Sequence, residues 1–281
     1  VKEHRRFSQG IRRMAIWNKN NQAYLQDNKT LFEAFMLSDK DGNIINTFGE
    51  ASNIPLAAGE LDGYSAVHKF GIIDGTIGTG WSTIWAQGEN IGDQLAPWRE
   101  IGDAGVVTVT SSLAGDTTDV TLEGLDADYN FQSETLTLAG TADVVGTKTW
   151  HRINRMFMVT ETNVGNVTAT IGADIVSSIK AGRGQTLQAF YTVPAGKTAY
   201  LTHMQVSSSK NQAVEASLFV RPFGGAFRVT GGTMLYQMEH TIHYSSPIRI
   251  TEKSDMDFRA IGAANGVLSA SFDLILVDNP T

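Results

Sequence analysis

Residues 268–277 read Leu-Ser-Ala-Ser-Phe-Asp-Leu-Ile-Leu-Val, with Leu268, Ala270, Phe272, Leu274 and Leu276 in one register and Ser269, Ser271 and Asp273 in the other. Successive side chains of an extended chain point to opposite faces, so this period of two describes a strand with one buried and one polar face. The same grammar runs backward through the chain. Asp255-Met-Asp-Phe-Arg-Ala-Ile-Gly262 adds a strand, with Ala263-Ala-Asn-Gly266 as a turn. Residues 214–232 give two strands around Pro222 and the Gly224-Gly225 turn. Further upstream, Val120 and Leu122 alternate with Thr121 and Glu123, and Leu136 and Leu138 alternate with Thr135 and Thr137, the pattern of a hairpin. Roughly eight strands fit between Ile153 and Val277, about the number in a jelly roll. The expected fold is mainly β, an antiparallel β-sandwich of jelly-roll type with a short helical or extended N-terminal arm.

Composition agrees with that class. Hydrophobic residues are 42% and charged residues 18% of 281, enough for one large core or two ordinary ones. Twenty-eight glycines suit short strands and tight turns. The absence of cysteine excludes disulfides, thiolate nucleophiles and cysteine-held metals. No apolar run reaches the ~20 residues that span a bilayer. The opening VKEHRRFSQGIRRMAIW is basic but lacks a signal peptide's apolar stretch, so a soluble, cytosol-made protein without membrane partners is expected.

Three regions are expected. Residues 1–37 form an arm with a short helix, because Thr30-Leu-Phe-Glu33 matches a capping box followed by Phe35 and Met36. Residues 38–145 begin irregular and glycine-rich, with Trp81, Trp85 and Trp98 interspersed, and hold a first β domain. Residues 146–281 hold the C-terminal sandwich. Residues 1–20 carry Lys2, Arg5, Arg6, Arg12, Arg13 and Lys19 against Glu3, a balance of +5; the chain's total of −7 leaves −12 for the remainder. A basic arm on an acidic body suits an acidic protein neighbour and suits nucleic acid poorly, since the body repels phosphate. The same cations are also what a solvated terminus carries.

The chemical motifs are fragmentary. Pro194-Ala-Gly-Lys-Thr198 ends like a phosphate-binding loop, but Tyr191 stands where that loop needs its first glycine, and strand-like residues follow instead of a helix. It is expected to be a hairpin turn. Asp39, Asp41, Asn43 and Glu50 fall on positions 1, 3, 5 and 12 of a calcium loop, yet Ile44 occupies the position that needs glycine. His68, His151 and His203 have no neighbouring ligand, and His240 and His243 point to opposite faces of a strand. Asp126/Asp128 and Asp255/Asp257 are spaced like a glycosidase pair, but the first sits in a turn and the second alternates like a solvated face. Aromatics Trp81, Trp85, Trp98, Tyr129 and Tyr244 are candidate sugar-stacking platforms. No catalytic residue, cofactor or firm metal site emerges, and a non-enzymatic role is expected.

Several phrases, taken in order, carry a resemblance: VTLEGLDADYNFQSETLTLAGT (120–141), YTVPAGKTAYLTHMQV (191–206), LFVRPFGGAFRV (218–229), IRITEKSDMDFRA (248–260) and SFDLILVDN (271–279). Residues 64–279 resemble virion structural proteins of tailed phages infecting marine bacteria and cyanobacteria. The resemblance implies a particle component, made in the host bacterial cytoplasm and located in the virion. That component would be a capsid decoration or cement protein, or part of the tail or fibre apparatus. It implies other virion proteins as partners, the major capsid protein or tail proteins, and a homo-oligomer, with trimers usual for cement proteins. Under that reading Arg5, Arg6, Arg12, Arg13 and Trp17 lie along the shell, while Trp81 and Trp85, large aromatics in a glycine-rich stretch, either pack against a neighbouring subunit or seal a domain edge.

Overall fold

The structure, a computed structural model, describes residues 53–86, 98, 104–262 and 265–280, and the backbone of five strands nearer the N-terminus. The chain divides into two compact units, Val1–Leu61 and Asp62–Thr281. In the first, β1 (Ala15–Trp17), β2 (Gln22–Asp27) and β3 (Thr30–Phe35) form an antiparallel sheet, β4 (Leu37–Ser38) pairs with β5 (Ile44–Ile45), and a five-residue helix covers Asn53–Ala57. The short helix expected from the capping box is therefore strand β3. A helix this short must offset a nucleation cost with few hydrogen bonds, whereas Thr30, Phe32 and Phe35 favour strand and β2 supplies a partner in register.

The second unit is nearly all β, with sixteen strands in antiparallel sheets among its described residues. Two sandwiches share it, each with its own core. One packs β10 (Phe131–Thr137), β9 (Asp119–Leu125) and β12 (Arg152–Met158) against β11 (Val144–Trp150), β8 (Gly105–Ser111), β13 (Val167–Ile171) and β14 (Asp174–Ile179), around Val109, Leu122, Trp150 and Met156. The expected hairpin is β9–β10, in the register Leu122↔Glu134. The other sandwich has the order β15 (Phe190–Thr192), β20 (Asp255–Ile261), β17 (Val214–Arg221), β18 (Arg228–Leu235), with β7 (Ser82–Thr83) also on β20. Its second sheet runs β19 (Glu239–Ile250), β16 (Lys197–Ser208), β21 (Asn265–Asp278), β6 (Tyr64–Thr76). Ile73, Leu201, Leu218, Phe258 and Phe272 fill the space between these sheets.

Chain order makes this an insertion. Strands β6 and β7 belong to the second sandwich, β8 to β14 build the first, and β15 returns to the second. Strand β11 runs through residues 145 and 146, where the sequence reading placed a boundary. Strand β6, thirteen residues long, lies in a region that reads as irregular because Gly71 interrupts it. Gly71 is required by packing: a Cβ there would sit 2.2 Å from the Ile84 carbonyl oxygen and 2.4 Å from the Ala189 nitrogen. No helix among the described residues is long and apolar enough to cross a membrane.

Phe272 is wholly buried in the second core, so Phe272→Ala is expected to destabilise the protein by roughly 3–5 kcal/mol through lost burial and a residual cavity. Val145 is 63% exposed, and Val145→Ala is expected to change stability by less than about 0.5 kcal/mol. Denaturant titration of the two variants checks both.

Candidate functional site

The most heavily organised polar chemistry lies between the two sandwiches. Strand β12 opens with Arg152, whose side chain crosses to β20 and meets Asp255, Nε to Oδ1 at 3.1 Å and Nη2 to Oδ2 at 3.4 Å. Arg221 at the end of β17 donates to Oδ2 of the same carboxylate from Nε (2.8 Å) and Nη2 (2.6 Å), and Thr192 Oγ1 donates to Oδ1 at 2.6 Å. The Arg152 and Asp255 side chains are only 3% and 4% exposed. Burying a carboxylate costs least when its charge is paired and its lone pairs are filled, as they are here.

Amides extend the seam. Asn154 and Thr192 exchange two hydrogen bonds, Nδ2 to the Thr192 carbonyl at 3.1 Å and the Thr192 N–H to Oδ1 at 3.0 Å. This pairing lets a side chain on β12 imitate a neighbouring strand for β15. Gln188 Nε2 donates to the carbonyls of Ile153 and Asn154, and its Oε1 accepts from Ser177 Oγ on β14.

Beside this lies Asp257, also fully buried. Its Oδ2 accepts from Trp98 Nε1 (2.9 Å), Thr83 Oγ1 (3.0 Å) and Arg259 Nε, while Oδ1 has no hydrogen-bond partner among the described residues. Burial pushes this carboxyl up to about 6, against the opposing pull of Arg259, Thr83 and Trp98. The Arg259 guanidinium lies 4.2 Å from the Phe227 ring centroid, and Trp98 packs edge-on to Phe190 and Phe227. The expectation that Asp255 and Asp257 face water is corrected. Their face of β20 is opposite the core, but Arg152 of the inserted sandwich, Thr83 and Trp98 cover it. Period-two alternation tells which side a residue takes, not what covers that side. Both oxygens of Asp255 are occupied by donors from Arg152, Arg221 and Thr192.

The other candidates separate. Gly196 has φ +73°, its N–H donates to Glu252 Oε2 at 2.6 Å, and Lys197 pairs with Asp278. Pro194–Thr198 is therefore a turn, as expected, but not a hairpin, because β15 and β16 lie in different sheets and the turn crosses between them. Trp85, Trp98 and Tyr129 are buried, Trp81 packs edge-on against Phe219 at 4.9 Å, and Tyr244 is half-buried on the core. Three of the five proposed stacking platforms are thus inside the protein. Asp126 caps its turn, accepting from the N–H groups of Asp128 and Asn130 at 2.9 Å. Asp39, Asp41, Asn43, Glu50, Arg5, Arg6, Arg12 and Arg13 lie outside the described residues, as does the side chain of Trp17, which ends β1.

Folding also builds a row that local spacing hides. Across the outer face of one sheet, His68, Asp273, His203 and His243 are successive cross-strand neighbours. His203 Nδ1 lies 3.0 Å from Asp273 Oδ2, His68 pairs with Oδ1, and the rings of His203 and His243 stack at 4.5 Å. Among the described residues, no group of three histidines and carboxylates is disposed to hold a metal ion.

Two outcomes follow from the seam. Arg152→Met, which keeps the volume and removes the charge, is expected to cost roughly 3–5 kcal/mol because Asp255 loses a buried partner, measured by denaturant unfolding near neutral pH. Asp257 has its folded pKa raised above the ordinary 3.8, so the stability it contributes is present below pH 3.8 and lost as pH rises through about 6. Asp257→Asn carries no titrating proton, and the difference in stability between wild type and variant is expected to shift by on the order of 3 kcal/mol across that window. A constant difference from pH 4 to 7 overturns the assignment.

No family model matches the chain, and no curated relative matches it. Among solved structures it is similar to the VP2 subviral particle of infectious bursal disease virus, at TM-score 0.20 and 11% identity over 78% of this chain and 73% of that one. The T=1 particles derived from the same virus give TM-score 0.21 and 13% identity over 78% and 70%, and its T13 viral particle gives 0.22 and 11% over 77% and 70%. At TM-scores near 0.2 these likenesses carry no argument about what the chain does.

Proposed function

We propose that this chain is a structural, non-enzymatic component of a tailed-phage virion, and specifically a capsid decoration or cement protein that binds the shell and neighbouring copies of itself. The observation that carries the proposal is an edge of the second sandwich that no strand of the described residues pairs with. Strand β18 ends its sheet, and along and just beyond it Val229 (57%), Met234 (61%), Tyr236 (58%) and Met238 (50%) stand exposed. Monomeric proteins blunt such an edge with charge, proline or a covering element, because unpaired strand edges recruit other chains. An edge that carries large apolar side chains suits pairing with a neighbouring subunit, as in a cement-protein trimer.

The sequence resemblance over residues 64–279 supports the same reading, and the cationic arm of residues 1–20 supplies a contact for an acidic shell. The tail- or fibre-associated alternative uses the same parts with the arm on the tail. Its carbohydrate-binding version is weakened by the burial of Trp85, Trp98 and Tyr129.

Antibody-gold labelling of intact particles that encode the chain is the direct test. Gold over the head is the expected result, with Met234→Lys/Tyr236→Lys protein remaining folded yet failing to incorporate. Gold confined to the tail transfers the role to the tail apparatus, and unlabelled particles overturn the proposal.

A further inference from the structure

A cleft of about 460 Å³ opens where β6 of one sandwich runs past β9 and β12 of the other. Residues 66–70 of the edge strand β6 line one wall, and Glu123, Asn154, Arg155 and Tyr191 line the rest, with Phe131 also in the lining. Inside sits Lys69, 7% exposed. Its Nζ donates to the Asn154 carbonyl, which among the described residues is the acceptor it reaches. An ammonium has three N–H donors, and no carboxylate of the described residues forms an ion pair with this one. The other cation in the cleft is held in place: Arg155 Nη2 donates to Gln185 Oε1 at 3.0 Å, and its guanidinium lies 4.6 Å from the Phe157 ring centroid. Phe131, 62% exposed, gives the lining an apolar surface in contact with water.

Charge and shape together restrict what fits. Lys69 and Arg155 bring two positive charges and Glu123 one negative, so a single anion balances the cleft. A buried cation with one acceptor gains most from an anionic oxygen, and a guanidinium fork matches a carboxylate. A cavity of several hundred Å³ with apolar walls and a few convergent polar groups is the usual form of a small-molecule site. We propose that this cleft binds a small organic acid, its carboxylate between Lys69 and Arg155 and its apolar body against Phe70 and Phe131.

The titration of Lys69 gives the proposal a signature. Burial, and then the Arg155 charge, push its amine down to about 7, while Glu123 acts in the opposite sense. A bound carboxylate favours the ammonium form, so affinity falls as pH rises through neutrality. The surrounding groups are Glu123 on β9, Arg155 on β12, Tyr191 on β15 and His68 on β6. Burial pushes the Tyr191 phenol up, so it stays neutral throughout.

The test is a titration of the full chain, followed by NMR chemical shifts and calorimetry, with hexanoate, hexan-1-ol and inorganic phosphate as probes. Hexanoate is expected to bind at about pH 6 and hexan-1-ol at least tenfold more weakly. Hexanoate affinity is expected to fall at least about tenfold by pH 8.5, following the loss of the ammonium form. Lys69→Met is expected to abolish both the binding and its pH dependence, and His68→Gln to leave both intact. The pH profile of the unmodified protein decides the matter even where Lys69→Met fails to fold. Hexan-1-ol binding as well as hexanoate, affinity independent of pH, no hexanoate binding, or phosphate binding as tightly as hexanoate each overturns the proposal.

Discussion

A dry carboxylate shared by two arginines is the constraint from which the arrangement of the two sandwiches follows. Asp255 projects from β20 of one sandwich, Arg152 from β12 of the other, and Arg221 and Thr192 complete its hydrogen bonding. Each sandwich has a separate apolar core, so burial of hydrophobic surface within the sandwiches does not by itself orient them. Apolar contact is non-directional, whereas a buried charge tolerates few geometries. A small rotation that pulled Arg152 away would leave its buried guanidinium without this carboxylate and Asp255 with Arg221 alone, at a cost of several kcal/mol. The Asn154–Thr192 exchange and the Gln188 contacts add further directional bonds along the same line. The aromatic cluster of Trp85, Trp98 and Phe190, with Ile175 from the inserted sandwich, seals it from water.

The insertion explains why this seam must be strong. Strand β6 pairs with β21 across roughly two hundred positions of sequence, as in Asp273 with His68, so a whole sandwich must fold inside the loop that this pairing closes. Closing so long a loop costs entropy that only non-local contacts repay. Lys69 on β6 reaching the Asn154 carbonyl, Gly71 allowing the close approach of Ile84 and Ala189, and the polar seam all hold the early strand against elements that arrive later in the chain.

What was legible in the sequence was whatever depends on alternation. The inward register of Leu268 to Leu276, the β9–β10 hairpin and the strands around Pro222 can be read from side-chain order alone, and the mainly β sandwich class follows from them. What was illegible depends on which surface meets which. Asp255-Met-Asp-Phe is the same pattern whether the aspartates face water or a second sandwich, and nothing adjacent in sequence announces Arg152, about a hundred positions away. The Pro194–Thr198 turn was recognisable from Pro194 and Gly196, but its destination in another sheet was not, since local chemistry sets a turn's φ angles and not the partner of the next strand. Strand β6 was hidden by a glycine whose reason is tertiary. The capping box at Thr30 misled because a local signal worth about a kcal/mol yields to a neighbouring strand.

The candidate ligand cleft and the exposed edge belong to different consequences of this one architecture. Where the sandwiches meet around Asp255, its carboxylate and the side-chain amides of Asn154 and Gln188 are buried and hydrogen-bonded. Where β6 runs past β9 and β12 the two bodies do not close completely, and the unbalanced charge of Lys69 and Arg155 is left facing a cavity. The edge at β18 lies in the sheet that carries Asp255 and is braced through β17 and β20 by the same seam. Pairing between subunits loses less entropy when the edge is already fixed in position, because fewer degrees of freedom remain to be ordered on association. Rigidity paid for once, at Asp255, therefore serves any assembly contact made at β18, while the incomplete closure beside it keeps a site whose occupancy follows the protonation of one lysine.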